Sequence, residues 1–315
     1  MLAVLAVVFP VFAIILLGFL AAQRRLLPEG TGKGLADFVF SVAMPALLFH
    51  TMATVKATGV PPAGLIAGYF GANFLTWVLA SLATTRLLGR PVADAPAISM
   101  AACFGNTVML GLPLGTAFFG TGATAAIAVI VALHSPALWM AATLQQEWIE
   151  RRGGGNAEGQ QKLSRVAFDL LTNPIVFSVL TGSLWRLTGI GLPGPASTLL
   201  ELLGQAAVPG ALFALGFGLT RFEVRSDWQA LSTIVVLKLL LMPLAGWILA
   251  TRLLGLPPIG IDAVTLLAAC PTGANAFLFA SRNERSVGPV AGAIAVGTTL
   301  AAPTISLTLL LLSSA

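Results

Sequence analysis

A chain of 315 residues with 57% apolar and 9% charged residues is not a soluble globular protein, in which roughly a quarter of residues carry charge. A net charge of +5 would elsewhere suggest nucleic acid, but the basic residues fall in short connections between long apolar segments, which excludes that class. Two cysteines and two histidines supply neither a disulfide framework nor a metal-ligand cluster, so no metal and no cofactor are expected.

Apolar segments of roughly 20 residues, the length that crosses a bilayer, fall at about 2–22, 35–53, 64–88, 96–119, 123–144, 167–189, 198–220, 228–254, 261–281 and 287–312. The first lacks the basic flank and small-residue cleavage site of a signal peptide and reads as a retained span. Gly120-Thr121-Gly122 separates the fourth segment from the fifth. The pattern predicts an all-α polytopic membrane protein with ten transmembrane helices. The one long polar connection, 145–165, has Gly153-Gly154-Gly155-Asn156 at its tip and reads as a flexible linker.

The halves repeat. Leu27-Pro28 recurs as Leu192-Pro193, Asp37 as Glu201 and Pro45 as Pro209. Thr85-Arg86-Leu87-Leu88-Gly89 recurs identically as Thr251-Arg252-Leu253-Leu254-Gly255, and Cys103 matches Cys270. The offset drifts only from 164 to 167. Five helices per repeat is an odd number, so the second half enters the membrane from the opposite side. Residues 1–144 then form the first repeat, 145–165 the linker and 166–315 the second, inverted repeat. The loops after the first, third, fifth, seventh and ninth segments carry 13 of the 17 lysines and arginines; the opposite side carries Lys56, Arg186 and Arg252. Positive-inside charge bias then places both termini outside a cell (inner) membrane and the linker in the cytoplasm.

Two stretches interrupt their apolar segments: Cys103–Pro113 in the fourth and Cys270–Phe277 in the ninth. Irregular backbone survives in a membrane only where protein or a water-filled cavity satisfies it. A matched pair of interrupted spans marks a transporter binding site. Pro113 and Pro271 each free a carbonyl, and Gly105, Gly111 and Gly273 let the backbone leave helical geometry. Two half-helix N-termini would then offer free N–H groups to a carboxylate. Asn106, Asn275, Thr107 and Thr272 would add side-chain hydrogen bonds. The competing reading is that these residues only pack helices.

Three further polar residues lie within apolar segments. Lys238 is too deep to snorkel; it binds substrate, serves coupling or an internal salt bridge, or bonds freed carbonyls. His134, beside Ser135-Pro136, is a pocket or proton-relay residue or a helix contact, and His50 lines a pocket or packs in the wall of the second segment. Asp37 and Glu201 read as acids in the first turns of their helices.

Four motifs in order resemble the auxin efflux carrier family: Ala43-Met44-Pro45-Ala46-Leu47-Leu48-Phe49, Gly105-Asn106-Thr107 with Gly111-Leu112-Pro113, Lys238-Leu239-Leu240-Leu241-Met242-Pro243-Leu244, and Pro271-Thr272-Gly273-Ala274-Asn275. The resemblance covers essentially the whole chain. It implies a ten-helix fold shared with the bile-acid–sodium symporter group. Segments 1, 2, 6 and 7 would form a scaffold and homodimer interface, and segments 3–5 and 8–10 a transport domain moving as an elevator. It also implies organic-anion substrates such as auxin or malonate, bound near Asn106 and Asn275 where the broken helices cross. No hydrolase or metalloprotease motif and no complete phosphate loop is present, so an enzyme is not expected. The reading is a secondary active or uniport carrier of small carboxylates in the bilayer. A coupling proton or sodium ion stays open, as do a coupled symporter of another solute and a membrane solute sensor.

Overall fold

The structure, a computed structural model, describes residues 2–54, 60–152, 173–220 and 227–314. Twelve helices follow in order among them. The first half gives α1 (Leu2–Gln23), α2 (Thr31–Thr54), α3 (Pro62–Arg86), α4 (Ala95–Cys103), α5 (Thr107–Gly120) and α6 (Gly122–Arg152). The second gives α7 (Pro174–Leu187), α8 (Gly194–Leu219), α9 (Trp228–Leu253), α10 (Pro258–Ala269), α11 (Ala274–Arg282) and α12 (Val287–Ser314). Six of these, α2, α3, α6, α8, α9 and α12, are long and apolar enough to cross a bilayer, and shorter apolar helices lie between them. The protein is an all-helical polytopic membrane protein. Large apolar side chains such as Phe74 and Leu184 lie on its outside, where hydrocarbon rather than water is the solvent.

Helix starts follow the local chemistry. Proline opens α3, α7 and α10, where its missing N–H costs no helix bond. Asn173 caps α7 by accepting from the N–H groups of Ile175 and Val176, and Asp227 caps α9 by accepting from Ala230. Inside the helices, proline widens the backbone. Wide π-helical turns at Val39–Ala43, Thr107–Gly111 and Leu237–Leu241 each end two residues before a proline: Pro45, Pro113 and Pro243. The proline ring clashes with the carbonyl four residues back and cannot bond to it, and the wider turn relieves both problems.

Two boundaries differ from the sequence reading. The fourth segment, expected to be interrupted over Cys103–Pro113, opens only at Phe104–Asn106; helix resumes at Thr107, and Pro113 lies buried within it. The fifth does not end at 144, since helix runs through to Arg152. Gln145 accepts from Trp77 Nε1 at 2.9 Å and donates to Ser81 at 3.0 Å, and Glu147 pairs with Arg151 one turn on. The rest of the expected linker and residues 167–172 of the sixth segment lie outside the described residues, as does Lys56. Asp37 and Glu201 stand well inside their helices, and Glu201 faces His50 at 3.3 Å. The α5–α6 boundary falls at Gly120, whose φ of 76° and ψ of −171° suit glycine.

Helix α1 packs along α8, and α2 packs on α7 and α8. Helices α3, α4, α9 and α10 pack on one another, with α12 against α9 and α10. The α1–α8 crossing is close enough to exclude side chains. A Cβ on Gly216 would collide with the Ile15 carbonyl, and one on Gly18 with the Phe213 carbonyl. At one end of the second group, Arg90 bonds Asp94, Asp227 and Ser286, tying the α3–α4 connection to the starts of α9 and α12.

Gly216→Leu should abolish monodisperse, detergent-extractable protein, whereas Gly218→Ala, which has open space around it, should leave it unchanged. Size-exclusion chromatography reads both. The Ala230 N–H and the Arg90 guanidinium hold the Asp227 carboxyl below its ordinary value. Its contribution to stability is therefore present above the unfolded-state pKa of about 3.9 and fades as pH falls through the lower folded value. Asp227→Asn should melt below the parent at pH 7, with the gap closing as the pH is taken below the carboxylate range.

Candidate functional site

The two interruptions meet. Phe104 and Cys270 leave helical geometry at φ −74°, ψ 96° and φ −60°, ψ 138°, and the chain runs extended for about three residues in each case. These extended pieces form an antiparallel bridge between Gly105 and Thr272. Asn106 N–H donates to the Pro271 carbonyl at 2.7 Å, and Gly273 N–H donates to the Phe104 carbonyl at 2.8 Å. Thr272 Oγ1 donates to the Ala101 carbonyl at 2.8 Å, so this side chain satisfies a broken helix end. Polar groups that would each cost several kcal/mol unpaired in hydrocarbon are thereby paired at the break.

Four half-helix ends converge on the bridge. The C-terminal ends of α4 and α10 lie on one side. There the fully buried Lys238 donates from Nζ to the Ala268 carbonyl at 2.7 Å, with Met242 Sδ at 3.1 Å. A cation at a helix C-terminus is electrostatically favourable. A Cβ on Gly105 would stand 3.3 Å from Lys238 Nζ, so the lysine packs directly behind the bridge.

The N-terminal ends of α5 and α11 open on a cavity of about 500 Å³. Gly105, Asn106 and Thr107 line it from one break, and Gly273, Ala274 and Asn275 from the other. His134 and Ser135 face it from α6, and Asn173 from the start of α7. Phe40 and Ser41 of α2 and Leu215 of α8 complete a largely apolar far wall. No charged side chain lines the cavity among the described residues. The amides of Thr107, Val108, Ala274 and Asn275 belong to first helical turns, which have no intrahelical acceptor. Asn275 Nδ2 reaches Ser135 Oγ at 3.4 Å. The Thr107 hydroxyl is buried without a hydrogen-bond partner.

Six of the ten residues singled out from sequence thus share one cavity: Gly105, Asn106, Thr107, His134, Gly273 and Asn275. The other four lie off its wall. Thr272 is turned into the bridge, Pro113 is packed in the following helix, and Lys238 sits on α9 behind the crossing, bonded to the end of α10. His50 lies towards the end of α2, bonded to Ser197 Oγ at 3.0 Å and close to Glu201. Ser135, Asn173 and Tyr69 escaped the sequence reading as site residues. Tyr69, the sole tyrosine, is fully buried in mid-span and bonds His134 at 3.1 Å. A lone polar aromatic in an apolar segment was the available signal.

Comparison with known proteins places this geometry in context. A family model described as "Membrane transport protein" matches residues 3–309. A Rhizobium meliloti (strain 1021) protein named "Putative malonate transporter" is 26% identical over 271 residues, 86% of this chain and 84% of that one. A Methanothermobacter thermautotrophicus protein named "Uncharacterized transporter" is 26% identical over 304 residues, 93% of each chain. The mouse "Lysosomal cholesterol signaling protein" is 26% identical over 245 residues, 74% of this chain but 28% of its own length. The polytopic helical architecture, the interrupted pair of helices and a match over nearly the full length agree: the chain is a membrane transporter, not an enzyme, and belongs to the membrane transport protein family, the auxin efflux carrier family its motifs resemble.

Proposed function

We propose that the chain is a secondary carrier of small organic carboxylates that binds its substrate where the two broken helices cross. The observation that carries this reading is a cavity bounded by two half-helix N-termini and the two crossover asparagines, Asn106 and Asn275, with no lysine or arginine on its wall among the described residues. Helix N-termini and amide donors hold a carboxylate without a buried counter-cation. The Rhizobium relative's name points to the same chemical class. At about 500 Å³ the cavity is in the range of drug-sized ligand sites and exceeds what a three-carbon dicarboxylate fills. Its apolar flank of Phe40, Phe104, Val108 and Leu215 suits a carboxylate with an apolar body, so auxin-like acids rank beside malonate.

The same reading includes an inverted repeat of five spans and elevator-type alternating access. The bridge supports the repeat: at the sequence offset of 167, Phe104 corresponds to Pro271, Gly105 to Thr272 and Asn106 to Gly273. The two bridge hydrogen bonds therefore exchange with one another under the two-fold relation. The cavity wall supports the elevator, since α5, α6 and α11 contribute one side and α2, α7 and α8 the other. Helices α1, α2, α7 and α8 are the proposed scaffold, and the outward apolar residues Phe177, Leu184 and Leu202 suit a homodimer contact. Loop charge supports termini outside and the 145–165 connection in the cytoplasm.

Counterflow in proteoliposomes tests the carrier and its site. With malonate and indole-3-acetate as a first panel, the parent should exchange at least one labelled carboxylate. Asn106→Ala and Asn275→Ala should each raise the half-saturating concentration more than tenfold, because a hydrogen bond to a charged group is worth about 1.5–3 kcal/mol. Exchange by both variants at parental affinity would overturn the crossover assignment.

A further inference from the structure

We propose that His134 is a neutral positioning residue that carries its proton on Nε2 and sets the peptide geometry of the crossing, and that it does not relay a coupling proton. His134 is 2% exposed, in the middle of α6. Its Nε2 lies 3.1 Å from the Gly105 carbonyl oxygen, and its Nδ1 lies 3.1 Å from the Tyr69 hydroxyl. A carbonyl oxygen only accepts, so Nε2 carries the hydrogen. Nδ1 is then the bare acceptor, and the Tyr69 hydroxyl donates to it. Phe104 closes against the imidazole face, with ring centroids 4.4 Å apart. The three contacts leave the ring one orientation and one tautomer.

The consequence falls on a single peptide unit. The carbonyl of Gly105 is held by His134, and the N–H on the other side of the same peptide, that of Asn106, is held by Pro271. A peptide plane held at both ends cannot turn. Its orientation fixes the direction in which α5 begins, and so where the Asn106 side chain and the Thr107 and Val108 amides meet the cavity. Gly105 keeps this junction close: a Cβ there would stand 3.3 Å from Lys238 Nζ and 3.4 Å from the Leu267 carbonyl oxygen. The partners also argue against a relay. Tyr69 on α3 and Lys238 on α9 are the titratable groups acting on the ring, and no carboxylate lines the adjoining cavity among its described residues. A proton leaving Nε2 would face a carbonyl, which has no proton to exchange.

The effect on affinity rests on the crossover being the substrate site; the tautomer does not. The chain's two histidines make the tautomer directly readable. Protein labelled with 15N-histidine is purified in nanodiscs, and His50→Gln removes the second set of signals. The remaining ring should show a protonated Nε2 and a bare Nδ1, unchanged between pH 6 and pH 8. Tyr69→Phe should leave Nε2 protonated, because the Gly105 carbonyl still accepts from it. In counterflow, His134→Gln keeps a donor for Gly105 and an acceptor for Tyr69, and should stay within about threefold of the parental half-saturating concentration. His134→Leu should raise it roughly tenfold. A ring protonated on Nδ1, one that titrates over this range, or parental affinity in His134→Leu would overturn the proposal. If both variants fail to fold, the parental spectrum still decides the tautomer. If the parent exchanges no carboxylate, the carrier reading fails, while the spectrum still upholds or overturns the assignment of His134.

Discussion

Hydrocarbon offers no water to an unpaired amide, and the rest of this molecule is arranged around that constraint. Two helices open in the middle of the protein, and each supplies what the other lacks. Asn106 bonds Pro271, Gly273 bonds Phe104, and Thr272 bonds back to Ala101. The glycines here are set by contact rather than by backbone freedom, since none has positive φ. A Cβ on Gly273 would stand 3.1 Å from the Phe104 ring and 3.2 Å from the Gly105 carbonyl, and one on Gly111 would meet Leu267 and Cys270 at less than 3 Å. The crossing is a paired and closely packed junction rather than a gap.

Pairing the backbone in this way sorts the electrostatics. The C-terminal ends of the broken helices, with their partial negative charge, are answered by the resident ammonium of Lys238 at the Ala268 carbonyl. The N-terminal ends have no charged partner among the described residues and face the cavity with their first-turn amides. A charged residue buried at mid-depth thus stabilises the frame, and the open positive ends are left for a ligand. The prolines at 45, 113 and 243 contribute at a distance, each widening a turn of a helix that bounds or supports the crossing.

Much of this was legible in the sequence, for definable reasons. Segment positions follow from hydropathy because membrane burial imposes length and polarity together. The break between α5 and α6 was readable at Gly120 because a glycine pair in an apolar run has few other uses. The meeting of the two interruptions followed from the repeat offset. What could not be read were the directions of side chains. Lys238, His134 and Thr272 all lie at the crossing, yet one faces carbonyls, one a peptide and one a helix end. Only three-dimensional packing distinguishes these. The sequence marks the whole stretch Cys103–Pro113 as interrupted, without saying whether the glycines or Pro113 open the helix. The structure absorbs that proline in a wide turn and breaks earlier, where the partner strand supplies hydrogen bonds. The helix running to Arg152 was missed because Gln145 gains tertiary partners in Trp77 and Ser81 that polarity alone does not reveal.

The most direct test of the central claim is whether a transported carboxylate occupies the crossing cavity. Ser135→Cys places a thiol on its wall, while the native Cys103 and Cys270 are buried. Labelling of that thiol by a small membrane-permeant maleimide should slow with rising concentration of a carboxylate the protein exchanges, half-maximally at the concentration that half-saturates exchange. Labelling of Leu187→Cys, on the exposed end of α7, should not change. Undiminished labelling of Ser135→Cys at saturating substrate, in protein that still exchanges it, would contradict the account and place the binding site elsewhere.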